Sequence, residues 1–236
     1  MDPDGGRPVI RDVIAWFRDS DHWHGPSGVP TLLGQHTLLT LVSLLIAAAV
    51  GLPLALWLGH RGRGGTFAVN LSNIGRAIPI VAMLSLLSLG VFGTEALGPF
   101  GRSGLATLVT LALFALPPIV TNTYTGVAEV DRDMVEAARG MGMGELDVLR
   151  RVELPLAMPL IVAGIRLAVV QVWATATIAA LVAGPGLGRI IVHGYDSFQT
   201  AEVVAGSLIV AGVALLLELA LALVQKLMDP LPPGSR

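Results

Sequence analysis

The stretch QHTLLTLVSLLIAAAVGLPLALWL, residues 35–58, holds no Asp, Glu, Lys or Arg. About 20 apolar residues wound as a helix cover the roughly 30 Å of a bilayer's hydrocarbon. Lipid offers no partners to a bare backbone, so only helices and closed barrels cross it. This constrains the chain more than any other feature, and four further stretches are long and mostly apolar as well. They run over 70–92 (with AIPIVAMLSLLSLGVF), 104–126 (with LATLVTLALFALPPIV), 155–182 and 203–228. Pro53, Pro79 and the pair Pro117-Pro118 interrupt three of them, which is tolerated where neighbouring helices satisfy the freed carbonyls. The expectation is an all-α integral membrane protein of about five transmembrane helices. Residues 1–30 form an extracytoplasmic arm, 31–228 the membrane domain and 229–236 a cytoplasmic tail. Within the arm, PVIRDVIAWFRD (8–19) has the spacing of an amphipathic helix lying on the membrane surface.

Orientation follows from the Arg and Lys of the connections. Arg61, Arg63, Arg132, Arg139, Arg150, Arg151, Lys226 and Arg236 fall on one side, and Arg7, Arg11, Arg18, Arg102 and Arg189 on the other. The N-terminal arm offsets its three arginines with five aspartates. The N-terminus is therefore expected outside and the C-terminus inside, in the plasma membrane. The opening MDPDGGRPVIRD lacks the basic-then-apolar order of a cleavable signal.

Charge is concentrated in one place. Eleven of the 32 charged residues lie between Glu129 and Glu153, on the expected inner side. Asp133 followed by Glu136 reads as a capping box that opens a short helix near Met134. Gly140, Gly142 and Gly144 end that helix, and a second short helix over about 145–152 presents Leu146, Leu149 and Val152 on one face. Pro155 opens the fourth span. The product is a cytoplasmic helix–turn–helix loop over 129–153, with Ala137 and Ala138 small enough for another backbone to approach. Read from pattern alone, Glu136 caps its own helix or meets a partner.

The stretch EAARGMGMGELDVLRRVELP resembles the signature of ABC-importer permeases. Glu136, Ala137 and Ala138 are followed by Gly142, nine residues, the aliphatic Val152, one more residue, then Leu154 and Pro155. The resemblance implies that this loop couples the permease to a separate ATPase. Residues 30–228 are similar, more narrowly, to permeases of glycine betaine, choline and carnitine importers. The similarity lies in GQHTLLTL, IPIVAMLSLL, the 116–168 segment and TATIAALVAGPGLGRII. This chain departs from that group around Pro79, where it reads Arg76-Ala77-Ile78-Pro79-Ile80. The implied partners are two ATP-binding cassette subunits, a second permease (identical or paralogous), an extracytoplasmic solute-binding protein and the bilayer, with no nucleic acid. The implied cofactors, ATP and Mg, belong to the ATPase. The only lysine is Lys226, so this chain has no G-x-x-x-x-G-K-[ST] loop, and no catalytic residue is expected in it.

Further positions carry sharper and plainer readings side by side. Gln171 and Trp173 either touch solute in passage or pack helices, and Gly184-Pro185-Gly186 is either a gate hinge or a loop. Arg166 and Glu218 sit at similar depths of consecutive antiparallel spans, where a charge forms an ion pair or snorkels. HWH at 22–24 has too few ligands for a metal site, no metal is expected, and His36, His60 and His193 show no clear partners. With no cysteine, thiol chemistry is excluded. Two other function classes remain open from the residues alone. An intramembrane enzyme would need a nucleophile–base pair or metal-binding carboxylates inside the spans, and the chain has no G-x-S-x-G, no H-E-x-x-H and no His within the last four spans. A secondary carrier fits five spans without an internal repeat poorly.

Overall fold

The computed structural model describes residues 9–62, 65–66, 70, 77–90, 92 and 103–228. Every regular element among them is helical: α1 (Val9–Arg18), a 3-10 turn (Ser20–Trp23), α2 (Val29–His60), α3 (Ile80–Leu89), α4 (Gly104–Ala128), α5 (Arg132–Gly140) and α6 (Glu145–Val148). A π turn (Leu149–Glu153) leads into α7 (Leu154–Ala176), followed by a 3-10 segment (Thr177–Val182), α8 (Gly188–Asp196) and α9 (Thr200–Met228).

Among the described residues, four helical stretches are long and apolar enough to cross a membrane: Val29–His60, Gly104–Ala128, Glu145–Val182 and Thr200–Lys226. They coincide with the first, third, fourth and fifth expected spans. α2 begins six residues earlier than the hydropathy pattern placed it (Val29 against 35). Its Pro30 falls in the first turn, where a missing N–H costs nothing. At 32 residues and 1.5 Å per residue it is about 48 Å long, more than the hydrocarbon needs. Of the second expected span only α3 and its flanks are described, because 71–76 and 91 lie outside the described residues. So do Arg7, Arg63, Arg76, Glu95, Arg102 and the tail 229–236.

The chain divides into two compact units, both of which draw on the long helices: 1–43, 80–111 and 172–216 form one, and 44–79, 112–171 and 217–236 the other. In the first unit, α1 buries Val13 and Trp16 while Ile10 and Ile14 stay exposed, the two-sided character expected of the arm. In the second unit, missing side chains let helices touch. A Cβ on Gly164 of α7 would sit 2.6 Å from Asn122 Cβ and 2.8 Å from the Pro118 carbonyl of α4. A Cβ on Gly59 of α2 would fall 2.7 Å from Val127 Cβ. Close approach at small residues is the usual means of packing helices in lipid, where burying apolar area drives nothing. Val127, Ala157 and Ile161 form the core of this contact, flanked by Leu52 and Leu56 of α2. α2, α4 and α7 thereby carry the elbow described next.

Candidate functional site

α4 ends in a tight turn, Val130 N–H bonding to the Val127 carbonyl at 3.3 Å. Asp131 then starts α5: its side chain accepts from the Asp133 N–H at 2.9 Å. The cap is therefore Asp131 and not the Asp133/Glu136 box, and the helix opens at Arg132. The short connection after α4 brings the earlier aspartate to the capping position, so Glu136 is not used there. Glu136 and Ala137 are exposed, whereas Ala138 is buried against Val130, Val135 and Val148. Of the two alanines, only Ala137 can receive another chain.

The turn that follows needs one of its three glycines for conformation. Gly142 has φ +88°, a region open to glycine and costly for side chains. Gly144 caps α6 with φ −71° and ψ 158°. α6 does not end at Pro155. The Leu154 N–H reaches back five residues to the Leu149 carbonyl, and the helix runs on through this π turn into α7. A proline ring in a regular helix collides with the carbonyl four residues earlier, and the wider turn supplies room for Pro155. The π turn also rotates the faces. Val148 is fully buried, Leu146 is 56% exposed, and Glu153 is turned inward at 4% exposure. The predicted apolar face Leu146–Leu149–Val152 thus gives way to a buried Val148, with Val152 beside it.

Glu153 meets His60, the last residue of α2, at 2.6 Å from its Oε2 to Nδ1. The other ring nitrogen, Nε2, lies 3.1 Å from Glu145 Oε2. Glu145 in turn accepts two bonds from Arg139, Nε to Oε1 at 3.1 Å and Nη2 to Oε2 at 2.9 Å. The Arg139 fork holds the Glu145 carboxyl below the usual carboxylate range. Arg139, Glu145, His60 and Glu153 thus form one chain of bonds from α5 to the end of α2. Asp147 and Arg151 pair outside it at 3.3 Å. An open cleft of about 590 Å³ lies alongside, lined by Trp57, His60, Arg61, Arg139, Glu145, Leu146 and Leu149. Arg61 stacks on the Trp57 ring at 4.8 Å. On the surface of this braced elbow stand Glu136, Ala137 and the exposed apolar side chains Met134, Met141 and Leu146.

His60 has partners that sequence spacing did not reveal, and the same holds for His36 and His193. His193 Nδ1 lies 3.0 Å from both oxygens of Glu202. His36 is buried; its Nε2 lies 3.0 Å from the Trp173 carbonyl, and its Nδ1 accepts from the Leu187 N–H at 3.3 Å. With Nδ1 accepting, Nε2 must carry the proton and donate. Trp173 is 2% exposed and its indole N–H bonds to the Val210 carbonyl at 3.1 Å, so the ring packs inside the chain. Gly184, Pro185 and Gly186 are buried, and a Cβ on Gly186, where φ is +105°, would press on the His36 ring. Gln171 is half-buried, and Pro79 is exposed just before α3. His22 stacks on Trp16 with centroids 4.2 Å apart, and His24 Nδ1 sits 2.8 Å from the Ser20 carbonyl. No group of three metal-binding side chains occurs among the described residues.

Arg166 and Glu218 are in contact. The guanidinium places Nε 3.0 Å from Glu218 Oε1 and a second nitrogen on the same oxygen, and Nη1 donates to Gln225 Oε1 at 2.8 Å. Gln225, about two turns beyond Glu218, joins the pair without a signal in the sequence spacing. The side chains are 30% and 36% exposed.

The family model for the binding-protein-dependent transport system inner membrane component matches residues 51–231. The chain belongs to this family. The permease is 34% identical over 198 residues to the carnitine transport permease protein OpuCD of Listeria monocytogenes serotype 1/2a, covering 83% of this chain and 84% of the relative. It is 34% identical to the choline transport system permease protein OpuBD of Bacillus subtilis, over 84% of each. It is 32% identical to the osmoprotectant import permease protein OsmY of Salmonella typhimurium, over 84% of this chain and 81% of the relative. Its fold is that of the inward-facing MetNI methionine ABC transporter in its CY5 native crystal form. That likeness has a TM-score of 0.68 at 22% identity and covers 85% of this chain and 96% of the other. The permease is a multi-pass inner-membrane component of a transport system, and neither the enzyme nor the self-powered carrier reading is favoured.

Proposed function

We propose that this permease forms the translocation path of an ATP-driven importer of osmoprotectants, small quaternary-ammonium solutes such as glycine betaine, choline and carnitine. The similarity to carnitine, choline and osmoprotectant permeases supports the solute class. The observation that carries the coupling reading is the elbow's exposed face. Glu136, Ala137, Met134, Met141 and Leu146 stand outward on a loop whose inner side is packed and ion-paired. An exposed apolar patch on a braced support suits a protein partner, and Gly142 lets the turn project it. Two ATPase subunits would dock there, with ATP and Mg bound on them. A second permease, identical or paralogous, would face this one across the path, and an extracytoplasmic binding protein would deliver the solute. Loop 129–153 lies inside and the N-terminus outside, in line with the arginine distribution. Twelve aromatics in 236 residues are few for a cation–π cage in the path, so solute choice falls mainly to the binding protein.

The test is purification from the native membrane with co-purifying subunits, followed by ATP hydrolysis assays with glycine betaine, choline and carnitine added singly with the binding protein. Retention of an ATPase subunit and stimulation by at least one of these solutes is the expected result. An ATPase subunit present but unresponsive to all three would overturn the solute class. Absence of any ATPase subunit would overturn the coupling.

A further inference from the structure

The elbow joins α4 at its start and α7 at its end through the backbone, whereas α2 meets it through side chains alone. α6 continues through the π turn into α7, so a push on the elbow arrives at α7 through the backbone. α2 has no such connection. Its polar link to the elbow is His60, whose two ring nitrogens face Glu153 and Glu145 at 2.6 and 3.1 Å. Glu153 is 4% exposed, and a carboxylate persists in such a place only when paired. It fills the one position of the Val152-x-Leu154-Pro155 run to which the signature assigns no residue type. The π turn that accommodates Pro155 is what turns it inward. On the far side, Arg139 grips Glu145 with two bonds, so the ring is held between a buried and a braced carboxylate. Arg61 lines the same cleft, and Arg132 lies against Gly62 just beyond. Each ring nitrogen has a carboxylate oxygen of a different residue within hydrogen-bond distance. An amide side chain can reproduce one arm but not both.

We propose that His60 is a positioning residue of the transport cycle. It fastens the end of α2 to the coupling elbow, so that displacement of the elbow moves α2 together with α7. The proposal rests on the reading of the elbow as the ATPase-docking element. His60 touches neither nucleotide nor solute, and acts through Glu153.

The test uses the complex purified with its ATPase, reading the ratio of solute-stimulated to basal hydrolysis and uptake into vesicles, with glycine betaine, choline or carnitine as probe. The double variant His60→Leu/Glu153→Leu removes the bridge while filling its volume, which leaves no orphaned buried charge. A role in packing alone would survive this change. The clasp would not, and stimulation is expected to fall by about tenfold or more, the scale of losing a hydrogen bond to a charged group. His60→Asn keeps a donor at the Nδ1 position toward Glu153 and is expected to restore most of the stimulation. His60→Gln, which reaches toward Glu145 instead, is expected not to. Normal stimulation in the double variant, or equal recovery by Asn and Gln, would overturn the clasp. If the double variant loses its ATPase subunit, the Asn and Gln comparison decides alone. Normal uptake by Gly142→Asp would instead remove the docking reading beneath it, so the two failures are separable.

Discussion

Gly142→Asp separates folding from docking because of where Gly142 stands. Its φ is +88°, and a Cβ built there meets nothing within 4 Å of this chain. The internal cost is therefore left-handed strain without a clash, about 1–2 kcal/mol for an ordinary L-residue and less for Asp or Asn, which visit that region. At roughly 2–4 °C per kcal/mol for a chain of this size, the melting temperature should drop by about 2–8 °C at most. The permease should still insert and remain monodisperse in detergent. If an ATPase subunit docks at the elbow it occupies this space, and a charged side chain pushed into a packed interface costs about 2 kcal/mol or more, near thirtyfold in affinity. Uptake and retention of the ATPase subunit should both fall far beyond what the melting shift explains. Gly142→Asn, uncharged and at ease in the left-handed region, should sit between wild type and Asp in uptake while melting close to wild type. The assay pairs thermal unfolding of purified protein with solute uptake and subunit retention. Uptake at the wild-type level would refute docking at this turn, and gross unfolding would refute the claim that the turn faces open space.

Three further outcomes are expected. Arg166→Ala and Glu218→Ala should each lower the folded yield in detergent, and the double variant should lose little more than either single; strictly additive losses would dissolve the pair. Gly164→Ala should destabilise by about 1–3 kcal/mol through overpacking against α4, whereas Gly212→Ala on α9, with nothing within 4 Å, should be neutral or gain up to about 1 kcal/mol of helix propensity; equal melting temperatures would contradict the close crossing. In this cysteine-free chain, a single cysteine at 196 should react with an impermeant maleimide in intact cells and one at 139 should not, and the reverse pattern would invert the topology.

Hydropathy located the long helices because a span is a local property: some 20 neighbouring residues either suit lipid or do not. The same locality misplaced α2's start, since Pro30 belongs to a helix turn outside the apolar run. The short helices α5 and α6 were expected for a related reason. Gly142, the small alanines and the charge island are close in sequence, and their arrangement is set by turns a few residues long. The cap went wrong by two residues because Asp131 and Asp133 both suit the position, and only the length of the turn after α4 chooses between them.

The sequence by itself determined that this chain crosses a membrane as helices and concentrates its charge between Glu129 and Glu153. The tertiary structure decided which side of each helix does what. His60 and Glu153 are 93 residues apart, His36 and Leu187 are 151 apart, and nothing in local composition records such pairs. Glu153 faces inward only because a π turn shifts the helical register ahead of Pro155, a change that a period of 3.6 residues cannot anticipate. Periodicity reports how a segment meets its solvent, whereas the partner of a buried charge is set by how distant helices pack.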